Sequence, residues 1–523
     1  MTTPPIDRSA TSRRGPRTVP LLIPLDPDDA VPQYRQIYNA LRRAILEGTL
    51  RAAARLPASR VLADDLGVSR TTVLGAYAEL AAEGLIVARS GAGTVVGGVR
   101  ATEQQRSPAG ADGSVSGPRL DRASDQPVGR AGSRVLSERA TLRMAKAADV
   151  VAYPTRSFAL AVPALDVFPV STWSRLAGRR WRATPYDLMR PDDGQGYAPL
   201  RRAIAEHVLL ARGVHCTPDQ VVVVSGALQA IDIISRLLLD AGDEIWFEEP
   251  GYRSARGLFD AASARIVSVP VDDQGLDVAF ARRVASDARV AFVTPAHQAP
   301  LGVTMSIRRR LALLDWAVEC DGWIIEDDYA GQFRYDRSLV PAMRALAHPG
   351  ARRVLHLGSF TETLFPALRI GYVVLPAELL EPFVIARRSV DRQSPTADQA
   401  VLADFIDAGH FARHIRRMRM LYAERQQAFI RLAARELGSL LRIEPMPAGM
   451  HLIGWLPPGV CDACVAREAG RRGVEVVPLS ASREEADAAA PQGLLLGYAP
   501  FSATVVREAL MRLAEVIHRV AAA

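Results

Sequence analysis

Two spacings of apolar residues run along this chain. Between Gln33 and Leu46 the apolar positions Tyr34, Ile37, Leu41 and Ile45 recur at helical intervals, which predicts a helix with one buried face. A short helix over residues 61–66 follows, then a turn at Gly67-Val68-Ser69. Ser69 suits the N-cap of a helix that starts at Arg70. Val73, Tyr77 and Leu80 form the buried stripe of that helix, and Gly84 closes it. Leu85-Ile86-Val87 and Thr94-Val95-Val96 have strand character and flank a Gly-rich turn ending at Gly93. The order predicts a helix, a helix-turn-helix and a β-wing.

Beyond residue 157 short apolar runs alternate with helical patterns, which predicts a parallel α/β sheet. Several runs end in polar clusters. Val221-Val-Val-Val224 leads to Ser225-Gly226-Ala227, and Ile245-Trp246-Phe247 leads to Glu248-Glu249-Pro250-Gly251-Tyr252. Val290-Ala-Phe-Val293 leads to Thr294-Pro295-Ala296-His297-Gln298, and Trp323-Ile324-Ile325 leads to Glu326-Asp327-Asp328-Tyr329. Residues 354–357 lead to Gly358-Ser359-Phe360-Thr361-Glu362. Ligands of such sheets bind beyond the carboxyl ends of the strands, so these clusters are expected to converge. Gly226-Ala227 at a helix start offers free amides to an anion, and Arg369 a guanidinium fork. The domains expected are an arm over residues 1–29, a winged helix over 30–97, a flexible linker over 98–156 and a large domain over 157–523.

Composition sharpens this. Of 523 residues 49% are apolar, enough for packed cores. The 64 basic residues include a single lysine, Lys146, in the linker. Chemistry that requires a lysine amine inside a folded site therefore has no residue to use. Residues 1–156 carry 22 basic and 15 acidic side chains, which is the whole +7 net charge of the chain. That excess is the electrostatic footprint of a nucleic-acid module. No apolar run is long enough to span a bilayer. Arg13-Arg14 precedes only a stretch broken by Pro20 and Pro24 and ended by Asp26, a poor export signal, so the expected compartment is the cytoplasm. The four cysteines make no disulfide framework. Cys461 and Cys464 have CxxC spacing without a second pair, and His410 and His414 lack a third ligand; neither predicts a metal.

The segments LPASR, LGVSRTTV, AYAELAAEGLI and RSGAGTVV resemble the GntR-family winged helix in order and spacing. The resemblance implies that Arg60, Ser69, Arg70, Thr71, Thr72, Gly93 and Thr94 meet double-stranded DNA. The chemistry agrees: arginine pairs with guanine edges, and hydroxyls and helix-start amides suit phosphates.

The segments GQGYAPLRRAIAEHV, VVVVSGALQAID, EEPGY, TPAHQAPLGVTMS, IIEDDYAGQFRY and GSFTETLFPALRIGYVVLP resemble fold-type I aminotransferases. Fused to such a winged helix, they resemble the aminotransferase-like half of MocR regulators. The resemblance implies a PLP-dependent transferase-like α/β fold and a homodimer. It implies that Asp327 pairs with the pyridine nitrogen of pyridoxal phosphate and Tyr329 with its phenolic oxygen. Ser359, Arg369 and the Gly226-Ala227 amides would hold the phosphate, with Tyr252, His297 and Gln298 near the ring. The pattern breaks where the family has its Schiff-base lysine, because this chain has Glu362. A carboxylate cannot form an imine. It breaks again after Gly497-Tyr498, where some relatives carry a substrate arginine and this chain has Ala499-Pro500.

The expected function is a DNA-binding transcription regulator whose large domain dimerises and senses a small-molecule effector. Pyridoxal phosphate or pyridoxamine phosphate, bound non-covalently, or an amino acid adduct would fit that role. An active aminotransferase with a DNA-binding appendage is opposed by Glu362. An inert scaffold on a DNA-binding dimer is the remaining alternative.

Overall fold

The computed structural model describes residues 23–26, 29–89, 93–97, 157–183, 186–335, 340–347, 353–484 and 490–522. The expected linker, the wing tip at 90–92 and residues 1–22 of the arm lie outside the described residues. The chain divides into two compact units between Gly129 and Arg130.

In the first unit α1 (Gln33–Leu46), α2 (Ser59–Leu66) and α3 (Arg70–Ala82) precede a hairpin of β1 (Ile86–Arg89) and β2 (Gly93–Val96). The helices pack through Ile37, Leu41, Ile45, Leu62, Val73, Ala76, Tyr77 and Leu80. Tyr34 departs from its expected place and is 38% exposed, while Tyr38 is buried and donates its hydroxyl to Glu83. The reason is position along the axis: at 100° per residue Tyr34 shares the face of Ile37, Leu41 and Ile45, but it lies in the first turn of α1, at the edge of the core. Residues 53–56 add backbone pairing to β2, with Leu56 N donating to Thr94 O at 2.9 Å and Val96 N to Ala54 O at 2.9 Å. The arm is tied down near its end: Ile23 is buried in this core, and Gln36 accepts from Asp26 N at 2.9 Å.

The second unit holds an eight-stranded sheet in the order β3-β10-β9-β8-β7-β4-β5-β6. These are β3 (Val221–Val224), β4 (Glu244–Glu249), β5 (Arg265–Asp272), β6 (Gly275–Leu276), β7 (Val290–Val293), β8 (Trp323–Asp327), β9 (Val354–Ser359) and β10 (Gly371–Val374). Strands β5, β4, β7, β8 and β9 run parallel, but β10 lies antiparallel between β9 and β3. The sheet is therefore mixed rather than wholly parallel as expected. The cause is the connection: residues 360–370 are too few for the helical crossover a parallel return requires. Strands β3, β7 and β8 are buried along their whole length, covered on both faces. One cover centres on the helix Ala227–Leu238. The other centres on the helix Ile307–Glu319, where Trp316 stacks on Trp246 at 4.1 Å. A four-stranded antiparallel sheet, β11 (Arg442–Ile443), β12 (His451–Trp455), β14 (Gly493–Gly497) and β13 (Val477–Pro478), packs on the 27-residue helix His410–Glu436 and the helix Ala503–Ala521.

Ser69 caps α3 by accepting from Thr72 N at 3.1 Å. Ser69→Ala should lower the stability of the first unit by about 1 kcal/mol, read as an earlier first transition in thermal unfolding of the whole chain.

Candidate functional site

Strand parity distributes three consecutive acids at the end of β8. Successive side chains of a strand point to opposite faces, so Glu326 and Asp328 share one face and Asp327 takes the other. Glu326 accepts from Met343 N at 2.7 Å and Arg344 N at 3.2 Å and meets His356 Nδ1 at 3.1 Å. Burial opposes its ionisation, but these partners hold its carboxyl down at about 2. Asp328 pairs with the buried Arg212 at 2.5 Å. Asp327 is left with a buried Oδ1 that has no partner. Burial, then the charges of Asp328 and Glu248, push its carboxyl up to about 7.

Three more groups meet Asp327 there. Glu362 is half-buried as a residue, yet its Oε2 is shielded from solvent and unpartnered. Burial and the neighbouring Asp327 push its carboxyl up to about 8. The Tyr329 hydroxyl is buried without a partner, and burial and then Glu362 hold its proton on well above the usual range. His297 has two unpartnered ring nitrogens and lies 6.0 Å from the Tyr329 ring. Burial, then His451 and Arg334, push it down to about 3, so it is neutral. A Cβ at Gly449 would stand 2.3 Å from His297 Nε2, so glycine there is what admits the ring. Buried polar atoms are rarely left unpaired. Four such residues around one strand end mark a polar ligand site.

Beside them lies an anion cradle made by the antiparallel β10. Gly371 pairs with both Val224 and Ser359, which brings the ends of β3 and β9 and the residue before β10 together. Arg369, in the left-handed region at φ 50°, donates Nη2 to Ser225 O at 2.9 Å. Gly226, at φ 101°, caps the helix Ala227–Leu238, and a Cβ there would meet Arg369 Nη2 at 2.8 Å. Ser359 Oγ accepts from Thr361 N at 3.1 Å. A helix N-terminus, a guanidinium and a hydroxyl thus share one spot, which suits phosphate.

The remaining expected residues divide. Tyr252 precedes the helix Arg253–Ala261 and acts electrostatically on Tyr329, so it borders the site. The Gln298 amide is used internally: Nε2 donates to Pro250 O and Ala299 O at 2.9 Å and to Glu248 at 3.2 Å, and Oε1 accepts from Leu301 N at 2.8 Å. Its amide nitrogen is fully used within the fold, so it helps to shape the wall. Glu248, whose chemistry sequence reading passed over, is buried and bonded by Thr294 Oγ1 at 2.6 Å, and burial raises it to about 7. The Glu-Glu-Pro-Gly-Tyr cluster was its only signal. Near Ala499, Arg425 donates to the Ala499 carbonyl and pairs with Asp166 at 3.0 Å, so it is already engaged. His414 Nε2 meets Thr363 O at 3.0 Å, and Cys464 N donates to Cys461 Sγ at 3.2 Å as a helix cap.

In the first unit Arg70, Thr71 and Thr72 occupy the first turn of α3, and Arg70 Nε reaches Ser59 Oγ at 3.4 Å. Thr71 and Thr72 border an open cleft with Pro32, Gln33, Tyr34 and Gly75. Exposed Tyr34 and Gln33 therefore join this face, an assignment the apolar pattern concealed by reading Tyr34 as core. Arg60 sits in the first turn of α2. Gly93 and Thr94 open β2, and a Cβ at Gly93 would approach Arg55 Nε at 3.2 Å.

The gntR family model, described as bacterial regulatory proteins, matches residues 33–96, and the class I and II aminotransferase model matches residues 186–458. The chain is 40% identical to the "Probable rhizopine catabolism regulatory protein MocR" of Rhizobium meliloti over 94% of both chains. This chain belongs to the MocR regulators. This MocR-type chain is also 32% identical to the regulator TauR of Rhodobacter capsulatus over 76% of its own length and 78% of that protein. The structure of the α-aminoadipate aminotransferase LysN of Thermus thermophilus, complexed with N-(5'-phosphopyridoxyl)-L-leucine, covers 74% of this chain and 98% of its own at TM-score 0.66 and 26% identity. Kynurenine aminotransferase of Pyrococcus horikoshii, in complex with PMP, gives TM-score 0.65 at 26% identity over 74% and 97%. The MocR-type chain is accordingly a transcription regulator with an aminotransferase-like fold, a fold whose family generally binds pyridoxal phosphate. Among the described residues no helix is long and apolar enough to cross a membrane.

A carboxyl group whose pKa is higher folded than unfolded makes stability fall as pH rises between the two values. For Glu362 that interval runs from the ordinary carboxyl range to about 8. Ligand-free Glu362→Gln of this MocR-type regulator should therefore melt roughly 2–5 °C above the parent at pH 8. The difference should shrink towards zero at pH 5; an equal gain at both values would remove the buried charge as its cause.

Proposed function

We propose that this regulator binds operator DNA as a homodimer and that its large domain senses a B6 vitamer, or its amino acid adduct, held without a covalent bond. The observation that carries the reading is the set of unpartnered buried atoms on Asp327, Tyr329, His297 and Glu362 beside the Gly226–Arg369 cradle. Asp327 would hold the pyridine nitrogen and Tyr329 the phenolic oxygen. Gly226, Ala227, Ser359 and Arg369 would take the phosphate, with Tyr252 and His297 along the ring. Such a cofactor supplies an electron sink when its ring nitrogen is protonated. Glu362 stands in the place of the Schiff-base lysine, and Lys146 is the only lysine of the chain. The domain therefore works as a sensor rather than as a transaminase. The ligand would act by binding one arrangement of the regulator better than another.

Dimerisation has support in the exposed apolar side chains Trp181, Tyr186 and Met189, at 60, 80 and 65%. Three large apolar groups exposed within nine residues of chain suit a contact surface. For DNA, the recognition helix would present Arg70, Thr71 and Thr72 to the major groove and its phosphates, Ser69 would hold the helix start, and Arg60 and the wing residues Gly93 and Thr94 would flank it.

Two measurements test this. Arg70→Ala should weaken binding to an operator selected from a random duplex library by about 10- to 100-fold; unchanged affinity would remove α3 as the reader. Glu362→Lys should convert non-covalent binding of pyridoxal phosphate into a borohydride-reducible adduct, seen as a new visible band and a mass increase on residue 362. A stoichiometric reducible adduct formed by the parent protein itself, on Lys146 or its N-terminal amine, would overturn the non-covalent reading.

A further inference from the structure

Among the described residues two buried acids around β8, Asp327 and Glu362, have no hydrogen-bonding or charged partner. Among the described residues Glu326 has His356 and two backbone amides, Asp328 has Arg212, and Glu248 has Thr294 and Gln298. Asp327 Oδ1 and Glu362 Oε2 have nothing. Among the described residues no basic side chain offsets either one, and the neighbouring charges that act on them are those of other acids. The partnerless Tyr329 hydroxyl adjoins both, with Glu362 the stronger influence.

A ligand complementary to this pair carries two cationic donors. Pyridoxamine phosphate has them: the pyridinium N–H, and an aminomethyl ammonium on the ring carbon next to the one bearing the phenolic oxygen. Pyridoxal phosphate not bound to lysine has an aldehyde at that second position. An aldehyde oxygen only accepts hydrogen bonds, as Glu362 does once it is ionised, above about pH 8, so the two would then face each other unpaired, which is costly in a buried site.

We infer that Glu362 makes the site selective for the amine form of the vitamer, accepting the ammonium of pyridoxamine phosphate where an aminotransferase would place its lysine. The inference rests on the B6 reading above. It assigns Glu362 a recognition role and turns the regulator into a reporter of the amino form of the cofactor pool rather than of the aldehyde.

The test titrates the full chain at pH 8.5 with pyridoxamine phosphate, pyridoxal phosphate and 4-deoxypyridoxine phosphate, which carries a methyl in place of the aminomethyl group. Calorimetry reads all three. Pyridoxamine phosphate should bind at least about tenfold tighter than either other ligand, as a charge-assisted hydrogen bond warrants. Glu362→Gln should abolish that preference, and Asp327→Asn should weaken all three ligands together. Equal affinities in the parent chain would overturn the selectivity while leaving the B6 site standing. A preference that survives Glu362→Gln would overturn the role of Glu362. Binding of none of the three would sink the B6 reading and the inference with it. The comparison among ligands on the parent chain requires no variant to fold.

Discussion

Two buried carboxyl groups share the carboxyl end of a central strand with no cation to balance them. Taking a charge out of water costs several kcal/mol unless a partner compensates, and a protein can escape that cost by holding the group protonated. Asp327 and Glu362 take that escape: Asp328 and Glu248 make Asp327 harder to ionise, and Asp327 does the same to Glu362. Their surroundings are built so that this imbalance stays local. Arg212 neutralises Asp328, and His356 with two amides holds Glu326, so the remaining acids of β8 bind into the fold. The two unpaired acids are left facing a site whose other lining groups, Tyr329 and neutral His297, also lack partners. Four of the unpartnered buried polar side chains among the described residues thus stand around one strand end.

Topology makes that place a site. Because β10 returns antiparallel between β9 and β3, Arg369, two residues ahead of it, meets the loop that follows β3. Arg369 and the start of the helix Ala227–Leu238 then stand together, an arrangement suited to an anion, although 142 residues lie between Gly226 and Arg369. A helix start leaves amides without intrahelical acceptors, and the winged helix uses the same property. There Ser69 caps α3 and leaves the first turn to present Arg70, Thr71 and Thr72. Both units keep their chemistry at the ends of regular elements, where backbone hydrogen bonding is incomplete.

Much of this was legible in the residue pattern. The bounds of α1 and the start of α3 follow from apolar spacing and a cap. The strand ends that bear polar clusters follow from apolar runs that stop abruptly. What the pattern misjudged has local causes. Tyr34 shares the helical period of the core but lies at its edge, and the Gln298 amide also ties its loop to the end of β4. A one-dimensional pattern records which face a residue takes, and not whether that face is covered or whether a polar group is already satisfied.

The sequence by itself determined the two modules, the strand ends that carry chemistry and the absence of any lysine from the large domain, because periodicity, capping and composition are properties of neighbouring residues. Only the tertiary structure decided that Asp327 and not Asp328 is the free acid, that β10 runs against its neighbours, and that Glu362 is buried beside Asp327 without a counter-cation. Those are facts of pairing across the sheet. Pairing depends on which distant groups the fold brings within hydrogen-bonding reach, and no spacing along the chain encodes that distance.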